Sequence, residues 1–405
     1  MSRAEIVVDL AAIRGNAHRL REHAGTPLMA VVKADGYGHG LVESARAARE
    51  GGAAWLGVAT IDEALALRAA GDEGRVLCWL TVPADDLAPV VAAGIDVSAY
   101  TLAELDQVAD AVLRAGRPAR LQIKVDTGLS RGGATPDTWA AVMRAARQGE
   151  TEGRWRVTGV WSHLSSSDEV DDPANDEQEK VFRDALAVAD RAGLRPDVRH
   201  LANSAAAIHR PSSRFDLVRC GISLYGVDPA PGVRADVWDG LGLTAAMTVR
   251  ADLALVKQVE AGAAVSYGRR WTAPAPTVLG LVPIGYADGL SRVASNRAEV
   301  WVAGERRPVR GTICMDQVVV DLGAPGVGTK PEAGADVLVF GPGTRGEPTA
   351  QDWAEAGDTI AYEVVTRVGG RMVRRHVDSE RDPATTPEPS DDPIADPIVD
   401  QGRGR

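Results

Sequence analysis

From Ile6 to about Gly240, short apolar runs alternate with alanine-rich amphipathic patterns, and no other feature limits the fold of this chain so severely. The runs are Ile6-Val7-Val8, Ala30-Val31-Val32, Trp55 to Ala59, Val76 to Leu80, Asp96 to Ala99, Leu121 to Val125, Val157 to Trp161, Val198 to Leu201 and Leu217 to Gly221. Helical patterns lie between them, as at Leu41 to Arg49 and Asp62 to Ala70, the latter with an acidic start that suits a helix N-terminus. Links this short make neighbouring strands parallel and joined by crossover helices. About eight such units predict a closed (β/α)8 barrel of the TIM type, with an open doubly wound sheet as the alternative. Within residues 6–240 no GxGxxG follows a strand, so dinucleotide binding has no support there.

After Leu241 the texture changes to β-branched runs separated by Gly and Pro, among them Thr248 to Val259, Thr277 to Ile284, Val309 to Asp321 and Asp336 to Phe340. That pattern predicts a mainly antiparallel β domain. From Arg381 onward, five prolines punctuate an acidic, aromatic-free stretch. Such a stretch buries too little surface to offset its ordering entropy, so a disordered tail is expected. The expected organisation is a barrel over 1–240, a β domain over 241–379 and a tail over 380–405.

The formal net charge of −11 argues against nucleic acid as a partner. Cys78, Cys220 and Cys314 show no metal or disulfide spacing, so reduced thiols and no metal are expected. No apolar run reaches the roughly 18 residues of a membrane helix, and Met1 to Glu5 holds no signal core. A cytoplasmic protein without membrane attachment is the expectation.

In a barrel, residues at the C-terminal ends of strands face the active site. Lys33 stands there, after an apolar run and before the glycine-rich turn Gly36-Tyr37-Gly38-His39-Gly40. A desolvated lysine loses basicity and becomes a nucleophile for carbonyl compounds; a plain surface lysine is the alternative. Lys124, Arg131, His163, His200, Asn203, Ser204 and Arg219 sit at other strand ends. A cation-rich set in an acidic chain fits an anionic ligand, most simply a phosphate and a carboxylate. Asn203-Ser204 and Gly221-Ile222 fall in the last loops, where barrels commonly hold phosphate. A lysine nucleophile together with a phosphate site is what pyridoxal 5'-phosphate requires.

The stretch Val32-Lys33-Ala34-Asp35-Gly36-Tyr37-Gly38-His39-Gly40 resembles the pyridoxal-phosphate attachment signature of the alanine racemase family. Further matches follow in order at Lys124 to Arg131, Ser162-His163, Ala202 to Ala205, Arg219 to Ile222, Val265 to Gly268, Ile284 to Gly289 and Ile313 to Gln317. The resemblance spans about residues 4 to 377 and omits the tail. It implies a homodimeric isomerase that interconverts L- and D-alanine by a two-base mechanism and supplies D-alanine for peptidoglycan. A broader serine or lysine racemase, and a barrel decarboxylase with the same cofactor, are the alternatives.

By the same resemblance, Lys33 carries the cofactor and is the base on one face of the substrate. Tyr267 of a partner subunit is the base on the other face. A free phenol titrates near about 10, so a tyrosine base needs help at neutral pH. His163, linked to Arg219, is the implied helper, and Arg219 also faces the pyridine nitrogen. Tyr37, Ser204, Gly221 and Ile222 hold the phosphate, with Asn203 beside them, and Arg131 meets the cofactor's phenolic oxygen and the substrate carboxylate. Met315 and Asp316 reach the substrate from the partner, Tyr286, Asp168 and Arg292 line the access channel, and Lys124 matches a lysine often carbamylated. Two positions depart from the family pattern. A phosphate-contacting tyrosine near the C-terminus falls at about Gly370, and a channel arginine is Thr312.

Overall fold

The computed structural model describes residues 4–328 and 330–381; the expected tail lies almost wholly outside the described residues. The chain begins with β1 (Ala4–Asp9) and the helix Leu10–Ala24. Then come β2 (Leu28–Val31), β3 (Trp55–Val58), β4 (Arg75–Cys78), β5 (Asp96–Ala99), β6 (Ala119–Lys124), β7 (Trp155–Trp161), β8 (Val198–His200) and β9 (Val218–Cys220). β2 to β9 make one parallel eight-stranded sheet in the order β8-β7-β6-β5-β4-β3-β2-β9. Two backbone hydrogen bonds, Asp216 N–H to Arg199 O and Arg219 N–H to Ala202 O, bridge the seam between β8 and β9. The expected barrel is therefore observed.

The barrel strands are largely buried on both faces because crossover helices cover one face and side chains fill the other. Leu28, Met29 and Ala30 of β2 are all fully buried. Fully burying a Leu or Met side chain contributes about 1.5–3 kcal/mol. Capping boxes start the helices after β3 and β5, Thr60 with Glu63 and Thr101 with Glu104. Each satisfies backbone N–H groups that a helix start leaves unpaired.

One run of the alternation belongs elsewhere. β1 pairs with Met247–Asp252 and with Val373–Val377, not with a barrel strand. Its burial alternates along Ala4–Asp9, with Ala4, Ile6 and Val8 inside. That period of two marks a strand with one covered face, unlike the continuously buried strands of the barrel.

β1 thus joins a six-stranded sheet with Val373–Val377, Met247–Asp252, Asp336–Phe340, Glu299–Val302 and Glu305–Pro308. Leu255–Val259, Thr277–Val282 and Val318–Gly323 form a three-stranded antiparallel sheet. Two helices, Ala350–Gly357 and Ala361–Arg367, follow. The second lies against the Lys33–Tyr37 turn, so closely that a Cβ on Gly38 would strike the Val365 carbonyl. No described helix is long and apolar enough to cross a membrane.

Candidate active site

Lys33 follows β2 at the C-terminal mouth of the barrel and opens a turn of unusual hand. Ala34, Asp35, Gly36 and Tyr37 all have φ between 52° and 63°. Left-handed backbone costs a non-glycine residue roughly 1–2 kcal/mol. Three such residues, Ala34, Asp35 and Tyr37, persist within four positions because neighbours fix them. The Ala34 N–H donates to Glu63 Oε1 at 2.6 Å, and the Leu41 N–H donates to Asp35 Oδ1 at 2.9 Å. The buried His39 Nδ1–H donates to the carbonyls of Tyr37 (2.9 Å) and Gly36 (3.0 Å). The strain holds the Lys33 side chain beside two aromatic rings, with Nζ 5.9 Å from the Trp79 ring centroid and 6.0 Å from that of Tyr37. Burial and then the Arg131 charge lower the Lys33 pKa, which favours the nucleophilic amine.

Arg219 of β9 is 4% exposed and crosses the mouth. Its NH2 donates to Ser162 O at 2.7 Å and reaches His163 Nδ1 at 3.1 Å, and its NH1 reaches His200 Nδ1 at 3.0 Å. A guanidinium only donates, so both Nδ1 atoms accept. Each ring, when neutral, then carries its proton on Nε2. Burial, reinforced by Arg219, holds both imidazoles well below the usual histidine range, so they are neutral. Burial also lowers Arg219 to about 9, still charged at neutral pH. Its guanidinium carbon lies 5.0 Å from the Trp161 ring centroid.

Lys124 ends β6, with Nζ 4.9 Å from the same Trp161 ring. Burial, then Arg131 and Arg219, lower its pKa to about 8. Arg131 acts on both lysines, which places the three cations in one electrostatic neighbourhood.

The phosphate end expected from the late loops is also assembled. The Gly221 N–H donates to Ser204 Oγ at 3.0 Å, and Asn203 caps the helix Ser204–His209. A Cβ on Gly221 would collide with the Tyr37 hydroxyl, so only glycine fits. Ile222 follows at the start of a short 3-10 turn. Gly370 does not reach this end: a Cβ there would lie 3.0 Å from the Ala287 carbonyl. Tyr362 stands beside Tyr37 instead, at 6.4 Å between ring centroids, with Tyr225 at 5.3 Å. Burial raises the Tyr362 phenol, and Asp168 is among the charges that act on it. Tyr362 lies in Ile360-Ala361-Tyr362-Glu363, eight residues before Gly370.

Tyr267 is not brought to this mouth by its own chain. It is 69% exposed, and its side chain makes no hydrogen bond among the described residues. Its backbone is fixed: Thr312 Oγ1–H donates to the Tyr267 carbonyl at 2.7 Å, and Ser266 Oγ–H donates to the Thr312 carbonyl at 2.6 Å. The threonine that replaces the family's channel arginine is thus a clamp on this loop. Thr312→Val leaves the Tyr267 carbonyl without its donor, an expected loss of about 1–3 kcal/mol if the carbonyl stays dry. Thermal unfolding checks this, and an unshifted midpoint would contradict the clamp. Met315 (52% exposed) and Tyr286 (38%) belong to the same unit, and Arg292 lies 6.0 Å from the Tyr286 ring. Asp316 pairs with Arg371 at 2.7 Å, and Arg371 also holds Asp288.

His39 belongs with the two other buried neutral rings. Burial pushes it down to about 4. An unfolded imidazole takes up a proton near about pH 6.5, whereas these folded rings do not. The unfolded state then binds more protons, so stability falls as pH drops below about 6.5. The histidine contribution for His39 is about 1.4 kcal/mol per pH unit down to its folded value. Urea unfolding should show a lower midpoint at about pH 5.5 than at about pH 7.5; an equal or higher midpoint would contradict neutral buried rings.

Fold and site define a barrel enzyme with an appended β domain and a desolvated lysine at the mouth of its strands. The family profile "Alanine racemase, N-terminal domain" matches residues 8–229, and "Alanine racemase, C-terminal domain" matches 246–376. The alanine racemase of Thermobifida fusca is 51% identical over 379 residues, covering 93% of this chain and 99% of that protein. The crystal structure of alanine racemase from a D-cycloserine-producing Streptomyces lavendulae superposes with a TM-score of 0.89 at 49% identity, covering 93% of this chain and 97% of that one. The alanine racemase of Bartonella henselae, solved with covalently bound pyridoxal phosphate, superposes at 0.81 and 29% identity, covering 93% and 100%. The chain belongs to the alanine racemase family and is an enzyme of the isomerase class.

Proposed function

We propose that this chain racemises alanine with pyridoxal 5'-phosphate held by Lys33, in a homodimer whose subunits complete each other's sites, and supplies D-alanine for peptidoglycan. The observation that carries the reading is the pairing of a desolvated amine at Lys33 with the Gly221 gap beside the Tyr37 and Ser204 hydroxyls. One end suits a carbonyl and the other a phosphate, which is the chemistry of that cofactor. Lys33 would hold the aldehyde carbon; Tyr37, Asn203, Ser204, Gly221, Ile222 and Tyr362 would surround the phosphate. Arg219 would face the ring nitrogen, and Arg131 the phenolic oxygen and the substrate carboxylate. When bound, the cofactor weakens the Cα–H bond by drawing electrons from the α-carbon.

Racemisation then needs a proton removed from one face of Cα and returned to the other. Lys33 serves one face. Tyr267 of the partner serves the other, since within its own chain this phenol projects into solvent. His163 is neutral, with Nδ1 turned to Arg219, so its Nε2–H is free to donate to the phenolate formed when Tyr267 gives up its proton. Arg219 is a donor that cannot readily pass its proton on, so it moderates electron withdrawal by the ring and favours return of the proton to Cα. Met315 and Asp316 would enclose the substrate from the partner side, and Tyr286, Asp168 and Arg292 would line the approach.

Gly221→Ala tests the phosphate end. Its Cβ forces the Tyr37 hydroxyl away, and cofactor affinity should fall roughly 10- to 100-fold. Titration of the apoenzyme by absorbance checks this; unchanged affinity would remove Gly221 and Tyr37 from the cradle.

Lys124 carries a further test. With a pKa near 8, a useful fraction of its amine is unprotonated at neutral pH and can add carbon dioxide. The carbamate would replace a cation by an anion between Arg131 and Arg219, which suits both. Carbamylation should grow as pH rises toward 8, because free amine is the reacting form. A carbamate resonance in [13C]bicarbonate, absent from Lys124→Ala, is the expected result; its absence from the wild type would leave Lys124 an ordinary cation.

A further inference from the structure

A buried polar chain descends from Arg219 through the barrel to its opposite end. His200 Nε2 lies 2.8 Å from Gln122 Oε1, and Gln122 Nε2 donates to Asp96 Oδ2 at 3.2 Å. Asp96, Gln122 and His200 are all 0% exposed. Asp96 starts β5, Gln122 is midway along β6, and His200 ends β8. The Asp96 carboxylate also accepts from Arg120 Nε (2.7 Å), Arg75 NH2 (3.2 Å) and Thr158 Oγ1 (2.5 Å).

These contacts admit one direction of hydrogen bonding. Two guanidiniums on Asp96 make its oxygens acceptors. Gln122 must therefore turn its NH2 group toward Asp96 and its carbonyl oxygen toward His200. His200 must then hold its proton on Nε2, which leaves the Nδ1 lone pair for Arg219. The fit is tight on every side. A Cβ on Gly159 would stand 2.7 Å from Gln122 Oε1, and the Trp161 ring lies 4° from parallel with His200.

We propose that Gln122 and Asp96 are positioning residues: an anion at the base of the barrel fixes the His200 proton on Nε2 and thereby the orientation of the Arg219 guanidinium. The proposal rests on the reading of Arg219 given above. Without the relay, a His200 ring that turned its N–H toward Arg219 would meet a second donor and displace it.

The test reads the ring directly. Holoenzyme labelled with [15N]histidine is measured by solid-state NMR, whose nitrogen shifts separate protonated from bare ring nitrogens. The His200 signals are assigned by their loss in His200→Asn. Wild type should show hydrogen on Nε2 only. Gln122→Met should give a mixture of ring forms, with kcat reduced roughly tenfold and KM within about twofold. Gln122→Glu should restore the Nε2–H form, because two buried carboxyls share one proton and the acid proton then faces Asp96. If Gln122→Met does not fold, Gly159→Ala pushes the same amide off His200 and should give the same mixture. Hydrogen on Nδ1 in the wild type, or an unchanged His200 in the folded Met or Ala variant, would overturn the proposal. A wild type that fails to racemise alanine would overturn the functional reading instead, and the nitrogen spectrum would still judge the relay.

Discussion

Lys33→Ala should abolish racemisation and the visible absorbance of the bound cofactor together. Burial has prepared this amine for a carbonyl: its pKa is lowered by desolvation and by Arg131, and three left-handed non-glycine residues shape its turn. The same amine is a proposed base. A positioned base alone contributes about 10²–10⁴-fold, so losing both roles should cost on the order of 10⁴-fold or more. The variant should still fold, because the side chain makes no hydrogen bond among the described residues and the turn is held by Glu63, Asp35 and His39. Circular dichroism and chain assembly should match the wild type. A yellow, active Lys33→Ala would remove the lysine from the chemistry.

Tyr267→Phe should lower turnover by about 10²–10⁴-fold while the absorbance stays. The substitution removes one hydroxyl from an exposed ring, so stability should hardly change. The proposed partner origin of this residue makes a sharper test. A heterodimer of a Lys33→Ala chain and a Tyr267→Phe chain has one site with both defects and one with neither. Random mixing of equal amounts puts half of the chains in such heterodimers, so about a quarter of wild-type activity should return. If Lys33 and Tyr267 acted within one chain, mixing would restore nothing.

Much of this was legible in the sequence because the signals were local. Continuous apolar runs followed by amphipathic helices mark the barrel, and such a run marks Lys33 as a residue at the mouth of its strands. What misled was the same kind of signal read without its period. Ile6-Val7-Val8 looks like another barrel strand, yet Glu5 and Val7 turn away from the core in register with Arg250 and Thr248 of the β domain. Tyr362 escaped because its role depends on a helix folding back over the Lys33 turn, a contact across more than three hundred residues that no local pattern encodes. Thr312 was visible as a departure, but its work is to hold the Tyr267 backbone, which only the folded loop displays. The relay below Arg219 was out of reach for the same reason. Gln122 reads as an unremarked polar residue between Leu121 and Ile123 until Asp96, Gly159 and His200 converge on it.

The most direct test of the central claim is to incubate the purified wild type with pyridoxal 5'-phosphate and L-alanine in D2O, and to follow both enantiomers and their Cα deuterium. Enantiomers have equal free energies in water, so a racemase must carry the mixture to equal amounts from either side. The account predicts that end point, with deuterium at Cα of the D-alanine formed, because the second face is reprotonated by a phenol that exchanges with solvent. An L-alanine sample that stays L, or D-alanine that keeps its original hydrogen throughout, would contradict it.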